Sequence, residues 1–377
     1  MALNQVGLER LNTATTKKIG TNKNLIINGA MEVAQRGTSS SSTNGIGTVD
    51  RFHNIRAGHD EEPTQAQHAL TSADTGPYAE GFRFSFHVTN GNQSSGAGAG
   101  DYMSMRYNLE AQNLANSGWN YTSSSSFITL SFWIKSSVAQ NFYGYIRTVD
   151  GTAQNYPIET GSLTADTWTK ITKTIPGNSN LTFDNDSNVG LQFYLSQYWG
   201  TNYTDNASTV NNWVAYSASA RMPDNTSTWW TTNDATFEIT GVQLEVGNVA
   251  TDFEHRSFAE ELNLCHRYYY LAHEMNGLGG EKPINLGVGE NSSTITSILR
   301  FPITMRTVPT MEASSGSNFF MFREDDGSHS FNTLTLRYAT RMAAEFTQSG
   351  SVSLTSAVGG MLRGANDDST LAFTAEL

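Results

Sequence analysis

Residues 82–88 read FRFSFHV, and this alternation is the pattern that decides the fold. Successive side chains of an extended chain point in opposite directions. The three phenylalanines and the valine therefore share one face, while the arginine, serine and histidine share the other. One apolar face and one polar face predict a strand of a β-sandwich whose apolar side packs on a core.

The same period of two recurs between residues 24 and 256. It is clear in FITLSFWIK at 127–135 and in VGLQFYLS at 189–196. Further runs of this kind, separated by clusters of Gly, Asn, Ser and Asp, are LIINGAMEV, NFYGYIRTV, TWTKITKTI and FEITGVQLEV. Seven or more such runs without a long helical period predict an all-β fold, a jelly-roll β-sandwich, rather than alternating strands and helices.

Composition limits the domain count and the partners. A chain of 377 residues is too long for one ordinary core, which predicts two domains and smaller pieces. Its net charge of −12 opposes binding to nucleic acid or to an anionic membrane. Cys265 is the single cysteine, so no disulfide can form within the chain. The sequence has neither a signal peptide nor a membrane-spanning stretch, which predicts synthesis in the cytoplasm without membrane insertion.

A short connecting helix is predicted at residues 257–270. Ser257 and Glu260 are spaced as a capping box, which satisfies backbone N–H groups at the start of a helix. One apolar stripe of this helix comprises Phe258, Leu262, Cys265 and Tyr269. The stripe either packs against its own domain or lies where three copies of the chain meet. In both interpretations Cys265 is a small buried apolar residue rather than a nucleophile.

The two ends of the chain differ in character. Residues 271–377 contain a second set of strand-like runs, including SILRFPITM and LAFTAEL, and predict a smaller C-terminal β-sandwich. Residues 1–23 contain too few large aliphatic side chains for a core. This segment is predicted to be a docking peptide that orders on a partner, with a disordered tail as the alternative.

Several motifs, taken in order, resemble known families. NLIINGAME at 24–32, paired with ITGVQLEVGNVATDFE at 239–254, resembles the first and last strands of jelly-roll carbohydrate-binding modules. The same pair, followed by C-x-R-Y-Y at 265–269 and FPITMRTVPT at 301–310, resembles tail-fibre and appendage proteins of tailed bacteriophages. The resemblance implies a virion protein made in the host cytoplasm. It also implies a homotrimer that docks to another virion protein through its N-terminal segment.

The resemblance also bears on metals, since related modules hold a structural calcium near these two strands. It nominates Glu32, Glu245 and Asp252 as oxygen ligands. The alternative gives Glu32 an exposed strand position and Asp252 a turn. No other cofactor is expected, because the eight histidines show no H-E-x-x-H spacing.

The most suggestive functional segment runs from residue 194 to residue 230 and holds four of the seven tryptophans. Aromatic faces stack on sugars, while neighbouring amides and carboxylates bind hydroxyl groups. The candidate glycan-binding residues are Trp199, Trp213, Trp229, Trp230, Tyr198 and Tyr203. The alternative is that these rings fill a core or a subunit interface.

These observations together favour a non-enzymatic structural and adhesion component of a phage particle, a tail fibre or appendage that contacts a glycan of the host surface. The alternatives are a capsid fibre or decoration protein, and a carbohydrate-binding module without a role in a virion. A polysaccharide-cleaving tailspike is disfavoured, because the chain has no room for a long repetitive β-helix.

Overall fold

The computed structural model describes residues 23–325, 327–349, 352–354 and 358–377. The predicted docking segment, 1–23, therefore lies outside the described residues except for Lys23. The chain forms two compact units. The first comprises the chain up to Ala30 together with Asn54–Thr64 and His68–His255, and the second comprises Met31–His53, Gln65–Gln67 and Arg256–Leu377.

The first unit is built on two antiparallel sheets. Its strands are β1 (Phe52–Ala57), β2 (Thr64–Ala69), β3 (Phe84–Thr89), β4 (Tyr102–Glu110), β5 (Phe127–Ser136), β6 (Asn141–Thr148), β7 (Gln154–Ser162), β8 (Thr169–Pro176), β9 (Val189–Trp199), β10 (Val214–Ala215) and β11 (Thr236–Val246). Two short helices are α1 (Ala111–Ala115) and α2 (Thr228–Thr231). A six-stranded sheet has the order β1-β4-β9-β6-β7-β10, and a five-stranded sheet has the order β2-β3-β11-β5-β8.

The core of the first unit lies between these sheets. Phe132 of β5 and Phe193 of β9 have ring centroids 5.8 Å apart, so the five-stranded and six-stranded sheets face each other. Phe86 and Val88 of β3 are fully buried, as the alternation in FRFSFHV predicts. The predicted all-β class and jelly-roll-like sandwich are confirmed.

Strand β11 occupies the centre of the five-stranded sheet, and a bulge adjusts its register. The pairing of β11 with β5 shifts between Thr240 and Gln243. Gly241 lies within the shift at φ +63°, and a Cβ there would stand 2.6 Å from the ring of Phe82. Both the backbone conformation and the nearby ring require glycine at this point.

The second unit is a smaller β-sandwich with one helix, α3 (Phe258–His266). Its strands are β12 (Tyr269–Glu274), β13 (Lys282–Asn291), β14 (Thr294–Arg300), β15 (Thr310–Ala313), β16 (Phe320–Glu324), β17 (Gly327–Phe331), β18 (Thr335–Ala339), β19 (Ala343–Ser349), β20 (Gly359–Gly364) and β21 (Thr370–Thr374). They form a sheet β12-β21-β15 and a sheet β17-β16-β20-β13-β14-β19-β18. Phe346 of β19 and Phe373 of β21 join the two sheets in one core. Among the described residues, no helix is long and apolar enough to cross a bilayer.

Helix α3 begins as predicted and ends earlier than predicted. The Ser257 side chain accepts a hydrogen bond from the backbone N–H of Glu260, as a capping residue does. The predicted helix over 257–270 is wrong at its end, because the chain turns after His266 and Tyr269 and Tyr270 enter a sheet. Tyr269 pairs with Thr374 of β21, which suits the strand preference of aromatic residues.

The early end of the helix breaks the predicted apolar stripe. Cys265 and Tyr269 are buried inside the second unit at 0% and 5% exposure, so they do not face a neighbouring subunit. Phe258 is 57% exposed and Leu262 is half-buried. Of the four predicted interface residues, only Phe258 and Leu262 are accessible to a second chain. The homotrimer stays a prediction.

The segment 31–53 belongs to the second unit, although the sequence predicted that it was part of the domain at 24–256. The guanidinium of Arg36 lies 3.6 Å above the ring of Tyr269. The guanidinium of Arg51 forms an ion pair with the carboxylate of Glu376. Stacking and charge pairing at a buried site together fix this segment to the second unit.

We expect Asp50 to make the second unit less stable as the pH rises from about 4 to 6. Burial raises the pKa of Asp50 from 3.8 to about 6, although the Arg36 guanidinium and the hydrogen bond from Gln35 act to lower it. Because the folded state then holds a proton that the unfolded state has released, this stabilisation is complete below about pH 4 and is lost as the pH passes 6. The loss amounts to roughly 2–3 kcal/mol.

The substitution Asp50→Asn should flatten this pH dependence, since the amide does not titrate. Hydrogen exchange of peptides from 256–377, measured at pH 4, 5, 6 and 7, reports the stability of the second unit. Asp166→Asn, on an exposed turn of the first unit, serves as the control. Parallel pH curves for the Asp50 variant and the unsubstituted chain would show that the buried carboxyl does not carry the effect.

Candidate binding face of the six-stranded sheet

The outer face of the six-stranded sheet carries a row of aromatic side chains. Because Phe193 points into the core, the next residue of β9, Tyr194, points outward. Tyr145 of β6 lies directly opposite Tyr194, and their rings stack with centroids 4.4 Å apart and planes 13° apart. Burial raises the pKa of Tyr145 well above its ordinary value, so its phenol stays neutral.

Two arginines lie flat on aromatic rings at the same face. The guanidinium of Arg147 is 4.0 Å from the ring centre of Tyr216. The guanidinium of Arg221 is 4.2 Å from the ring centre of Trp199 and 4.9 Å from that of Tyr203. Among the described residues neither guanidinium is paired with a carboxylate, and the Nε of each is buried without a hydrogen-bond partner. The aromatic rings, together with the Oε1 of Gln192 near Arg147, are therefore the neighbours that stabilise these positive charges.

Amide side chains hold the middle of this face in place. The Nε2 of Gln192 donates to the Oδ1 of Asn108 at 3.0 Å. The Oε1 of Gln192 accepts from the hydroxyl of Tyr194 at 3.3 Å and from an Nη of Arg147 at 3.4 Å. A connected polar network of this kind fixes side-chain positions before any ligand arrives.

The loop between β9 and α2 completes the surface. Its Met222 is fully buried beside Tyr145 and Tyr194, and the amide of Asn155 donates to the carbonyl of Arg221 at 2.7 Å. We call the partly exposed residues of this surface the aromatic face: Tyr102, Arg106, Tyr143, Arg147, Tyr203, Tyr216 and Arg221.

Three of the tryptophans predicted to contact glycan lie in the interior instead. Trp229 and Trp230 are fully buried, and their indole N–H groups donate to the carbonyls of Thr236 and Gly96 at 3.0 and 2.9 Å. Trp213 is 8% exposed, and its N–H donates to a backbone carbonyl at 2.7 Å. Rings whose single polar atom is satisfied inside the protein are suited to packing.

The other three predicted residues divide between the interior and the aromatic face. Trp199 stacks on Tyr102 with centroids 4.5 Å apart, and Tyr203 meets its ring edge-on at 5.0 Å. Tyr198 packs against buried Trp230 at 5.3 Å. The structure thus places Tyr203 on the aromatic face with Trp199 beneath it.

The sequence prediction missed Tyr143, Arg147, Tyr216 and Arg221, together with Tyr102 and Arg106. A signal for the first two exists in NFYGYIRT at 141–148, where Tyr143, Tyr145 and Arg147 occupy every second position. Such a row opposite the apolar positions marks an outward surface of a strand.

The predicted calcium site stays a prediction, and a lysine lies next to two of its three residues. The carboxylate of Glu245 accepts hydrogen bonds from the backbone N–H and the hydroxyl of Thr251. The ammonium group of Lys23 donates to the Thr251 hydroxyl and to the carbonyl of Asp252. The ammonium group of Lys23 therefore lies beside the predicted ligands Glu245 and Asp252 and would oppose a cation there. Glu32 belongs to the other compact unit.

Comparison with known proteins gives structural neighbours only. No family model matches the chain, and no curated protein matches it. The enzymatically active domain of tailspike protein 4 of bacteriophage CBA120 is 11% identical, with a TM-score of 0.32, over 59% of this chain and 21% of that chain. The chain thus spans about a fifth of the length of the tailspike chain.

Two further neighbours are matched over most of their length. A protein from Bacteroides thetaiotaomicron that is described as sugar-binding is 11% identical with a TM-score of 0.30, over 59% of this chain and 99% of that chain. The xylan-binding domain CBM22-1 of Paenibacillus barcinonensis is 12% identical with a TM-score of 0.27, over 58% of this chain and 93% of that chain. Similarity at this level does not carry function, so the chemistry of the site must come from its own residues.

The contrast between interior and surface rings yields a stability prediction. Trp230→Ala should cost about 3–5 kcal/mol, since it empties a large buried volume. Tyr216→Ala should cost less than about 1 kcal/mol, because Tyr216 is a partly exposed loop residue. Urea unfolding followed by tryptophan fluorescence measures both, as all seven tryptophans lie in the first unit. Equal losses would contradict the division into interior and surface.

Proposed function

We propose that this chain is a non-enzymatic glycan-binding protein and that the aromatic face is its binding surface. The observation that carries the proposal is the pair of guanidinium groups, Arg147 and Arg221, stacked on rings and unpaired with carboxylates. Placing charges at a partly buried surface without counter-ions costs stability. Such a cost is characteristic of sites arranged for a ligand.

The ring faces suit the apolar side of a sugar. Tyr102, Tyr143 and Tyr203 are partly exposed at one surface and pack on the same buried cluster. Tyrosines offer a flat apolar ring together with a hydroxyl that can exchange hydrogen bonds with the hydroxyls of a sugar. A set of fixed rings with a few polar groups is the usual composition of a small-ligand surface.

The arginines favour a glycan that carries carboxylate groups, such as one containing uronic acids. A guanidinium binds a carboxylate through two parallel hydrogen bonds to two charged oxygens, whereas a single sugar hydroxyl offers one neutral oxygen. The net charge of −12 repels a polyanion at long range. Recognition would therefore depend on these short-range contacts rather than on electrostatic steering.

Binding without cleavage is the favoured activity. Hydrolysis of a glycosidic bond needs two carboxyl groups that flank the bond. The seven named residues of the aromatic face are tyrosines and arginines, and the carboxylate of Glu159, directly opposite Tyr143, accepts a hydrogen bond from the amide of Asn141. This composition favours recognition over catalysis.

The biological setting that we propose is a phage particle, as a tail fibre or appendage. Support for it comes from the ordered motifs at 24–32, 239–254, 265–269 and 301–310 and their resemblance to such proteins. A capsid fibre or decoration protein, or a binding module outside any virion, would use the same surface.

We expect Arg221→Gln and Arg147→Gln each to weaken binding to a uronic-acid polysaccharide roughly tenfold or more, since a charge-assisted hydrogen bond contributes about 1.5–3 kcal/mol. Tyr143→Ala should weaken binding to acidic and neutral glycans alike. Affinity electrophoresis or calorimetry against an acidic polysaccharide and a neutral glucan measures these changes.

Arg337→Gln is the matched control. Arg337 also lies over a tyrosine ring, at 5.5 Å from the centre of Tyr338, but it is paired with Glu290 and belongs to the second unit. This variant should bind like the unsubstituted chain. Loss of binding in the control, or unchanged binding in all three test variants, would reject the aromatic face as the site.

The virion role predicts a separate result for the N-terminal segment. Deleting residues 1–22 should leave glycan binding intact while abolishing incorporation into phage particles, because the segment is proposed to be a docking peptide. Purified particles from complemented infections are assayed for the chain by immunoblot. Equal incorporation of the shortened chain would refute the docking role and leave the binding activity untouched.

A further inference from the structure

The five-stranded sheet carries a cluster of histidine and glutamate side chains on its outer face. His68, His87 and Glu238 come from the three neighbouring strands β2, β3 and β11. His87 lies directly opposite Glu238 in the register of β3 and β11. Because the residues next to His87 point into the core, this cluster faces away from it.

The three side chains have the spacing of a metal site. The Nδ1 of His68 is 3.0 Å from one oxygen of Glu238, and the Nδ1 of His87 is 3.6 Å from the other. Among the described residues, this is the group in which three such ligand atoms lie within 4.8 Å of one another. Zinc bonds of about 2.0–2.1 Å at tetrahedral angles place ligand atoms about 3.3 Å apart. The two distances to Glu238 are close to this value, and a separation at the 4.8 Å limit would have to shorten by up to about 1.5 Å on binding.

His87 has a buried nitrogen that faces the Glu238 carboxylate at 3.6 Å, beyond hydrogen-bond distance. Its Nε2 is 3.0 Å from the hydroxyl of Thr89, which can fix the ring and its tautomer. Its Nδ1 is buried and has no hydrogen-bond partner among the described residues. A buried nitrogen directed at a carboxylate costs free energy unless a proton or a metal ion lies between them.

The Glu238 carboxylate is also held in place by two further side chains. The hydroxyl of Ser85 donates to Glu238 at 2.7 Å. The ammonium of Lys135 lies 2.9 Å from Glu238 and 3.1 Å from Asp74. Lys135 is thus a cation that competes with a metal, although Asp74 offers it a second partner. The side chain of His68 is 49% exposed, which leaves a path from solvent.

We propose that His68, His87 and Glu238 form a binding site for one divalent transition-metal ion of the zinc type, with solvent as a further ligand. Imidazole nitrogens favour zinc, copper, nickel or cobalt over calcium and magnesium, which require several oxygen ligands. The bound ion would join β2, at the edge of the sheet, to β3 and β11, and so stabilise the first unit.

Isothermal titration of the untagged full chain with zinc chloride tests the site, and cobalt chloride gives a spectroscopic check, since tetrahedral cobalt absorbs visible light. We expect one ion per chain with micromolar affinity or tighter. His68→Ala should reduce the affinity at least tenfold. His59→Ala is the matched control, because His59 lies 3.0 Å from the carboxylate of Glu62 but belongs to no group of three possible ligands among the described residues.

The Lys135→Gln variant distinguishes a direct effect on zinc binding from a general loss of folding stability. Removing the competing ammonium should tighten zinc binding, whereas a merely destabilising change would weaken it. X-ray data collected at the zinc absorption edge from crystals of the unsubstituted chain should place the ion between the three side chains. The proposal is overturned if no zinc binds at about 100 μM, roughly a hundred times the expected dissociation constant. It is also overturned if the His68→Ala and His59→Ala variants bind zinc equally well.

Discussion

The alternation of side chains along β11 is the constraint on which much of the first unit depends. Phe237 and Ile239 are fully buried, and Glu238 between them belongs to the outer face. A shift of one residue would move the carboxylate into the core and both apolar side chains out of it. The bulge at Gly241 and the pairing with β3 and β5 on either side hold the register that prevents this.

The same period explains what the sequence predicts well. Which residues of 82–88 face the core is determined within the strand itself, so it can be inferred locally. The helix start at Ser257 is also local, because a capping residue bonds to an N–H three positions later. The end of that helix could not be inferred this way, since Tyr269 pairs with Thr374 from a distant part of the sequence.

The candidate sites were harder to infer because they depend on distant pairing. Gln192 and Asn108 meet across 84 sequence positions, and His68 and Glu238 meet across 170. The positions of the tryptophan rings were hard to infer for a different reason. Their abundance in a polar segment left sugar contact and packing both open, and Trp229 and Trp230 pack: their N–H groups donate to backbone carbonyls and both rings are fully buried. Composition alone does not distinguish a buried indole from an exposed one.

The composition of the second unit has a consequence for how the chain folds as it is synthesised. Arg51 pairs with Glu376 across 325 positions, and β21 lies in the middle of its three-stranded sheet. The contact between segment 31–53 and Glu376 must therefore wait until residues near 376 have left the ribosome. The first unit contains all its strands before residue 256 and can fold while synthesis continues. Since contacts of such long range close slowly, completion of the second unit should be the late step in folding.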